Sequence, residues 1–153
     1  MKEDIVITSA GEEDMRDIWE WRNHPAVRGN FFNTAAVSWE EHQKWFQERM
    51  SDSHCRIYIA RRGEEKVGVI RFEPEGKGAQ VSVHLNPVCL GQGLGSRVIR
   101  AGTRRFLKEQ AAQPVIARII KRNVASVKAF TKAGYRCLSE DEEVVTYGYE
   151  GDV

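Results

Sequence analysis

The stretch from Val83 to Ser96, Val-His-Leu-Asn-Pro-Val-Cys-Leu-Gly-Gln-Gly-Leu-Gly-Ser, constrains the fold of this chain more than any other. It opens as a β-prone run, passes Gly91, Gly93 and Gly95, and enters a segment of helical periodicity. Glycine lets the backbone turn tightly and lets a ligand come close to the amides. The first amides of a helix have no partner within the helix, and the helix dipole is positive there. A strand, a glycine loop and a helix start in this order make an anion site suited to phosphate. A Walker loop ends in lysine followed by Ser or Thr, and no lysine follows Gly93 or Gly95. A dinucleotide fingerprint needs G-x-G-x-x-G after a parallel strand, whereas the spacing here is G-x-G-x-G after antiparallel-looking strands. Phosphate binding of another kind remains, beside the plainer reading of a tight turn.

The surrounding elements alternate, with no internal repeat. Ile5 to Thr8 is β-prone, and Ser9-Ala10-Gly11-Glu12 has the form of a capping box. Met15, Ile18, Trp19 and Arg22 then predict a helix near Glu12–Asn23, ended by His24-Pro25. Ala26 to Val37 reads as a loop or broken helix carrying Phe31 and Phe32. Ser38-Trp39-Glu40-Glu41 is a second capping box, opening a helix striped with Trp39, His42, Trp45, Phe46 and Met50. Strands at Arg56–Arg61, Lys66–Glu73 and Ala79–Leu85, joined by glycine turns, predict an antiparallel meander. A helix from Ser96 to about Gln110 follows, then a strand at Val115–Ile120. Asn123 caps a helix over Val124–Ala133 that Gly134 closes, and strands at Tyr135–Leu138 and Val144–Tyr149 end the chain. The order predicts one mixed α/β domain over residues 1–153.

Charge adds a direction. The 153 residues carry a net +1, with 41% hydrophobic and 29% charged, enough apolar content for a core and too neutral for a general nucleic-acid binder. From Ser96 to Arg136, however, eleven basic residues face one acid, Glu109. That window carries +10, so the remainder carries −9. It reads either as a site for a polyanion or as solvated basic helix faces. The sequence predicts no membrane partner, because no run approaches the roughly 18–20 apolar residues of a span. The acidic start lacks the apolar stretch of a secretory signal. Cys55, Cys89 and Cys137 form neither a metal motif nor a disulfide framework. We expect a cytoplasmic monomer or homodimer without metal.

Two blocks carry a family resemblance. Leu90-Gly91-Gln92-Gly93-Leu94-Gly95 resembles the Q/R-x-x-G-x-G/A loop of the GNAT superfamily of N-acetyltransferases. Asn123-x-x-Ser126-x-x-x-Phe130-x-Lys132-x-Gly134-Tyr135 is similar to that family's second block, one helix and one strand later. The resemblance covers nearly the whole chain. It implies a single mostly antiparallel sheet of six to seven strands with about four helices, splayed between strands 4 and 5. It implies acetyl-CoA as cosubstrate, with its pyrophosphate on the amides of Gly91 to Ser96. Val83, His84 and Leu85 would then pair with the pantetheine arm like an added strand. Leu90, Gln92, Leu94, Arg97, Asn123, Ser126, Phe130 and Lys132 complete the implied cofactor contacts. In the N-terminal half, Trp21-Arg22-Asn23-His24-Pro25, Ser38 to Phe46 and Gly68 to Glu73 are similar to transferases of bacterial amino-sugar pathways. These include the pseudaminic-acid type, which acetylates a nucleotide-linked 4-amino sugar. They resemble more loosely the transferases of ribosomal-protein N-termini. The implied acceptor is a small-molecule amine, first a nucleotide-linked amino sugar. The alternatives are a protein N-terminus, an antibiotic amine, or acyl-CoA binding without catalysis.

The chain departs from the family in its acid-base groups. The strand Ala79–His84 has no carboxylate, Phe130 stands where relatives have a tyrosine, and Leu90 replaces Arg or Gln. N-acetyl transfer needs the amine to lose a proton and the thiolate to gain one. The candidates are Glu73 as base, Ser82 positioning a water, His84 with its ordinary pKa near neutrality, and Tyr135 or Tyr147 as proton donor. Each also has a structural reading, as a strand-end acid, a core hydroxyl, a core histidine and core aromatics. Candidate acceptor contacts are Arg22, Asn23, Phe32, Arg71 and Arg118. Arg118, inside an apolar strand, reads equally as a structural ion pair.

Overall fold

A computed structural model of the chain describes residues 4–110 and 114–150. The remaining residues of the domain expected over 1–153 lie outside the described residues. Seven strands form one sheet: β1 (Ile5–Ser9), β2 (Arg56–Arg62), β3 (Glu65–Glu75), β4 (Gly78–Leu85), β5 (Val115–Ile120), β6 (Tyr135–Glu140) and β7 (Val144–Tyr149). Their order is β1-β2-β3-β4-β5-β7-β6, antiparallel throughout except for the parallel pair β4–β5. The described α-helices are α1 (Met15–Asn23), α2 (Pro25–Arg28), α3 (Trp39–Ser51), α4 (Gly95–Glu109) and α5 (Val124–Lys132). The extra helix, α2, is a single turn, opened by Pro25 in its first position.

The expected capping box at Ser9 does not form. Ser9 is claimed by the sheet, paired with Tyr58. The cap falls two residues later, where the Gly11 amide donates to Asp14 Oδ2 at 2.9 Å. Ser38 does cap α3, accepting from the Glu41 amide at 3.2 Å, and Asn123 caps α5 through the Ser126 amide at 3.2 Å.

Both faces of the sheet are covered. On one, α4 buries Val98, Ile99 and Phe106 in the same cluster as Tyr58, Ile70, Phe72 and Val81. The Phe72 and Phe106 rings stack at 4.3 Å, nearly parallel. On the other, Met15, Ile18 and Trp21 of α1 and Phe46 of α3 pack with Ile57, Ile59 and Val69. β2 and β3 are therefore apolar on both faces, and the sheet becomes a rigid middle layer.

The consequence for function lies at the parallel pair. β4 and β5 pair only at Ala79↔Val115 and Gln80↔Ile116, although β4 continues to Leu85 and β5 to Ile120. Beyond Gln80 the two strands part, as the resemblance implied. The chain leaves β4 through the glycine loop directly into α4, which lies beside the opening.

Candidate functional site

The gap between β4 and β5 opens into a cavity of about 520 Å³. β4 supplies Ser82, Val83, His84 and Leu85; the loop supplies Leu90, Gly91, Gly93 and Leu94; Gly95 and Ser96 begin α4. Asn123, Ser126, Phe130 and Lys132 come from the start and inner face of α5. All of these were expected from the sequence. Gly91 and Gly93 sit at φ +76° and +71°, and a Cβ on either would point into open space. The loop therefore leaves room for a ligand to come close to its backbone, as a phosphate site requires. The cavity's charged side chains are Arg71, Arg118, Lys128 and Lys132, with no carboxylate, tyrosine or cysteine among its described lining residues. The parted strand edge, the open glycine loop and the excess positive charge fit acetyl-CoA. Val83 to Leu85 would hold its pantetheine arm, Gly91 to Ser96 its pyrophosphate, and the α5 lysines add positive charge. The group supplies an acetyl thioester.

Not every expected contact lines this cavity. Gln92 turns away, donating to the Val88 carbonyl at 3.2 Å and accepting from Arg62. Arg97, in the first turn of α4, does not line it. The basic window is also partly structural: Arg100 donates to the Lys132 carbonyl and Arg105 to the Ile7 carbonyl, both at 2.7 Å.

A strap over residues 24–37 roofs one side, contributing Ala26, Val27, Asn30, Phe31 and Phe32 to the wall. Side chains at its two ends fasten it. Asn23 donates to the Val37 carbonyl and accepts from the Val37 amide, both at 2.8 Å, while Trp19 donates to the same carbonyl at 2.7 Å. Arg122, from beyond β5, donates to the Gly29 carbonyl at 3.1 Å. Behind the strap lies a second chamber of about 250 Å³, lined by Ile18, Arg22, Val37, Glu41, His42, Trp45, Arg71 and His84. The two chambers meet at Arg71 and His84, which line both.

The candidate acid-base groups fare differently. Tyr135 is no proton donor to this cavity: it is buried, shares a 2.7 Å hydrogen bond with Thr103, and its pKa is raised by burial. Tyr147 likewise does not line the cavity. Glu73 does not line it either, because its Oε1 accepts from Arg49 at 3.2 Å and from Arg71 at 3.1 Å. Ser82 does line it. Asn23 is spent on Val37 and touches neither chamber. Arg118 lines the large cavity, but its guanidinium is tied to the Glu75 carboxylate and, at 2.9 Å, to Gln80 Oε1. The ion-pair reading of that residue describes what is seen. Cys89 is fully buried, and burial pushes its thiol pKa up.

His84 faces the site yet is not poised near neutrality. Its Nε2 lies 3.3 Å from the Ile18 carbonyl, and its ring meets Phe31 edge-on at 5.4 Å. Burial, and then the neighbouring Arg71 charge, bring its pKa down to about 3. The sign of the consequence is definite. Below its unfolded value of 6.5, the unfolded chain takes up a proton that folded His84 refuses. Stability therefore falls as pH drops from about 6.5 toward 3, by up to about 1.4 kcal/mol per unit. His84→Gln should flatten this slope. In urea unfolding at pH 6.5 and pH 5, the native chain should lose roughly 1.5 kcal/mol more than the variant. Equal losses would mean that His84 is solvated. His42, whose pKa burial also lowers, contributes a slope that both proteins share.

Phe31, Asn30, Gln80 and Lys128 in the large cavity, and Glu41, His42 and Trp45 in the second chamber, were not among the chosen site residues. Lys128 was visible as part of the basic window. Phe31 and Trp45 were visible as aromatics in the N-terminal half.

Comparison with known proteins agrees with this geometry. Residues 4–136 match the acetyltransferase (GNAT) domain family. The chain is 21% identical over 137 residues to the acetyltransferase PseH of Campylobacter jejuni subsp. jejuni serotype O:23/36, covering 89% of this chain and 85% of that one. Spermidine N-acetyltransferase from Vibrio cholerae, solved with CoA and spermine, superposes with a TM-score of 0.83 at 12% identity, covering 95% of this chain and 94% of that one. The aminoglycoside acetyltransferase AAC(6')-Ib, solved with coenzyme A and kanamycin, superposes with a TM-score of 0.78 at 16% identity, covering 95% and 93%. Among the described residues no cluster of His, Cys, Asp or Glu could hold a metal ion, and no helix is long and apolar enough to cross a membrane. With the family model matched over residues 4–136 and a glycine loop beside a parted strand pair, this protein is a member of the GNAT acetyltransferases, with acetyl-CoA as its cosubstrate.

Proposed function

We propose that the protein acetylates the primary amine of a nucleotide-linked amino sugar, by direct attack in a ternary complex. The observation that carries the reading is the pair of chambers meeting at Arg71 and His84, a larger one beside the glycine loop and a smaller one behind the strap. The likeness of the N-terminal half to amino-sugar transferases supports the acceptor class, as does the relative named PseH. In the reaction the acceptor nitrogen bonds to the thioester carbonyl carbon, the carbon–sulfur bond breaks, and the thiolate ends with the proton the amine gave up. No cysteine is among the described lining residues of the large cavity, so it offers no thiol for a covalent acyl-enzyme.

The cavity offers no carboxylate to take the amine proton, and His84 is a weak base. Its cationic walls instead favour the neutral form of a bound amine, since nearby like charge disfavours the ammonium. Holding the two reactants together supplies the rest, on the order of 7–11 kcal/mol at best. The test is a panel of amines with acetyl-CoA, read by free thiol release: a nucleotide-linked 4-amino sugar, spermine, kanamycin and an N-terminal peptide. The sugar nucleotide should show the highest kcat/KM. Highest turnover of the peptide or of a polycation would replace this acceptor class, and no turnover of any amine would leave acyl-CoA binding alone.

A further inference from the structure

We propose that the second chamber is a phosphate-binding subsite, in which Arg22 and Arg71 hold the phosphate or diphosphate of the acceptor while its amine enters the large cavity. The inference rests on the proposed acceptor reading and gives that reading a place in the molecule.

The first observation is an orphan. Arg22 Nη2 donates to the Asn33 carbonyl at 2.9 Å, and its guanidinium lies over the Phe31 ring at 3.7 Å. Its Nη1 is shut off from solvent and has no hydrogen-bond partner among the described residues. A buried N–H without an acceptor costs about 1–3 kcal/mol, more on a charged group, so its retention needs an explanation. An acceptor atom on a ligand supplies one. The second observation is a like-charged neighbour. Arg71 lines both chambers and gives its Nε to Glu73. Arg22 is held below its ordinary pKa by burial and then by Arg71; Arg71 is also lowered, by burial. Two half-hidden guanidiniums facing one space repel each other until an anion enters.

The anion's class follows from the walls. The chamber's charged groups are Arg22, Arg71 and Glu41, with His42 and His84, whose pKa values are both lowered. Guanidinium forks match phosphate and carboxylate alike. Its volume of about 250 Å³ matches roughly eight waters at about 30 Å³ each, more than one carboxylate fills. The free donors of two guanidiniums also exceed what two carboxylate oxygens accept. The same charges disfavour spermine-like and aminoglycoside cations, the ligands in two of the superposed structures.

Calorimetric titration of inorganic pyrophosphate into CoA-saturated protein tests the subsite, because CoA then fills the glycine loop. CoA is titrated in parallel, with Arg22→Met and Arg71→Met beside the native chain. Pyrophosphate should bind the native complex and bind each variant about ten- to a hundredfold more weakly. CoA affinity should hold in Arg22→Met, which does not line the large cavity, and this shows that the variant is folded. Pyrophosphate binding unchanged in Arg22→Met, no pyrophosphate binding to the native CoA complex, or binding of succinate in preference to pyrophosphate would each overturn the proposal. Failure of CoA itself to bind contradicts the cofactor assignment separately. The Arg22→Met comparison is then read on the free protein.

Discussion

Replacing Gly93 by valine is expected to weaken acetyl-CoA binding about ten- to a hundredfold while leaving the chain folded. Gly93 sits at φ +71° with nothing within 4 Å of where a Cβ would stand. The Cβ of a valine therefore meets no protein atom, but holding a β-branched residue in the left-handed region costs about 1–2 kcal/mol. Its side chain also enters the space in which we propose the pyrophosphate lies. Losing a charge-assisted hydrogen bond from the amide cradle is worth about 1.5–3 kcal/mol, which converts to the stated range. Gly76 provides the control. It lies in the β3–β4 turn at φ +57°, equally open, and lines neither chamber. Gly76→Val should show the same backbone strain with unchanged affinity. Calorimetric titration of acetyl-CoA into both variants separates strain from site. Equal affinities in the two would show that the loop amides do not hold the cofactor.

Phe106→Ala is expected to be the most destabilising of these changes, by about 3–5 kcal/mol. Phe106 is 1% exposed and stacks on Phe72 at 4.3 Å, fixing α4 to the sheet. The alanine leaves a cavity that neither the flat Phe72 ring nor the β-sheet backbone can fill. At about 2–4 °C per kcal/mol for a chain of this size, Tm should fall on the order of 10 °C. Well below that temperature acetyl-CoA affinity should change little, because Phe106 lies three turns along α4 from the loop. A fall in Tm of less than about 3 °C, measured by calorimetry, would mean that the helix is seated by other contacts.

Much of the scaffold was legible because its signals are local. Alternation and glycine turns placed the meander, and Ser38 and Asn123 marked their helices as caps. The first cap was misplaced because pairing with β2 draws Ser9 into the sheet, which four residues of sequence cannot reveal. The parting of β4 from β5 came from family resemblance and has no periodicity of its own. The glycine loop was legible for a physical reason: closely spaced glycines permit backbone that other residues rarely adopt, and Gly91 and Gly93 do take positive φ. The acid-base candidates Tyr135, Glu73 and His84 were not, since each has a partner 24 or more residues away. Thr103 takes Tyr135, Arg49 and Arg71 take Glu73, and the Ile18 carbonyl meets His84 from 66 residues away. Arg22 and Asn23 looked equivalent as neighbours at a helix end. The strap separates them, fastening Asn23 to Val37 and leaving Arg22 facing a chamber.

We place acetyl-CoA between β4 and β5, with its phosphates on the glycine loop and the basic residues around it. Thermal melting with acetyl-CoA, CoA and 3′-dephospho-CoA tests it most directly. At about 100 times its Kd, a ligand of the folded state adds about 2.7 kcal/mol, here on the order of 5–10 °C in Tm. That shift is expected with acetyl-CoA and CoA, and a smaller one without the 3′-phosphate. No shift with acetyl-CoA at millimolar concentration would contradict the assignment of the cavity.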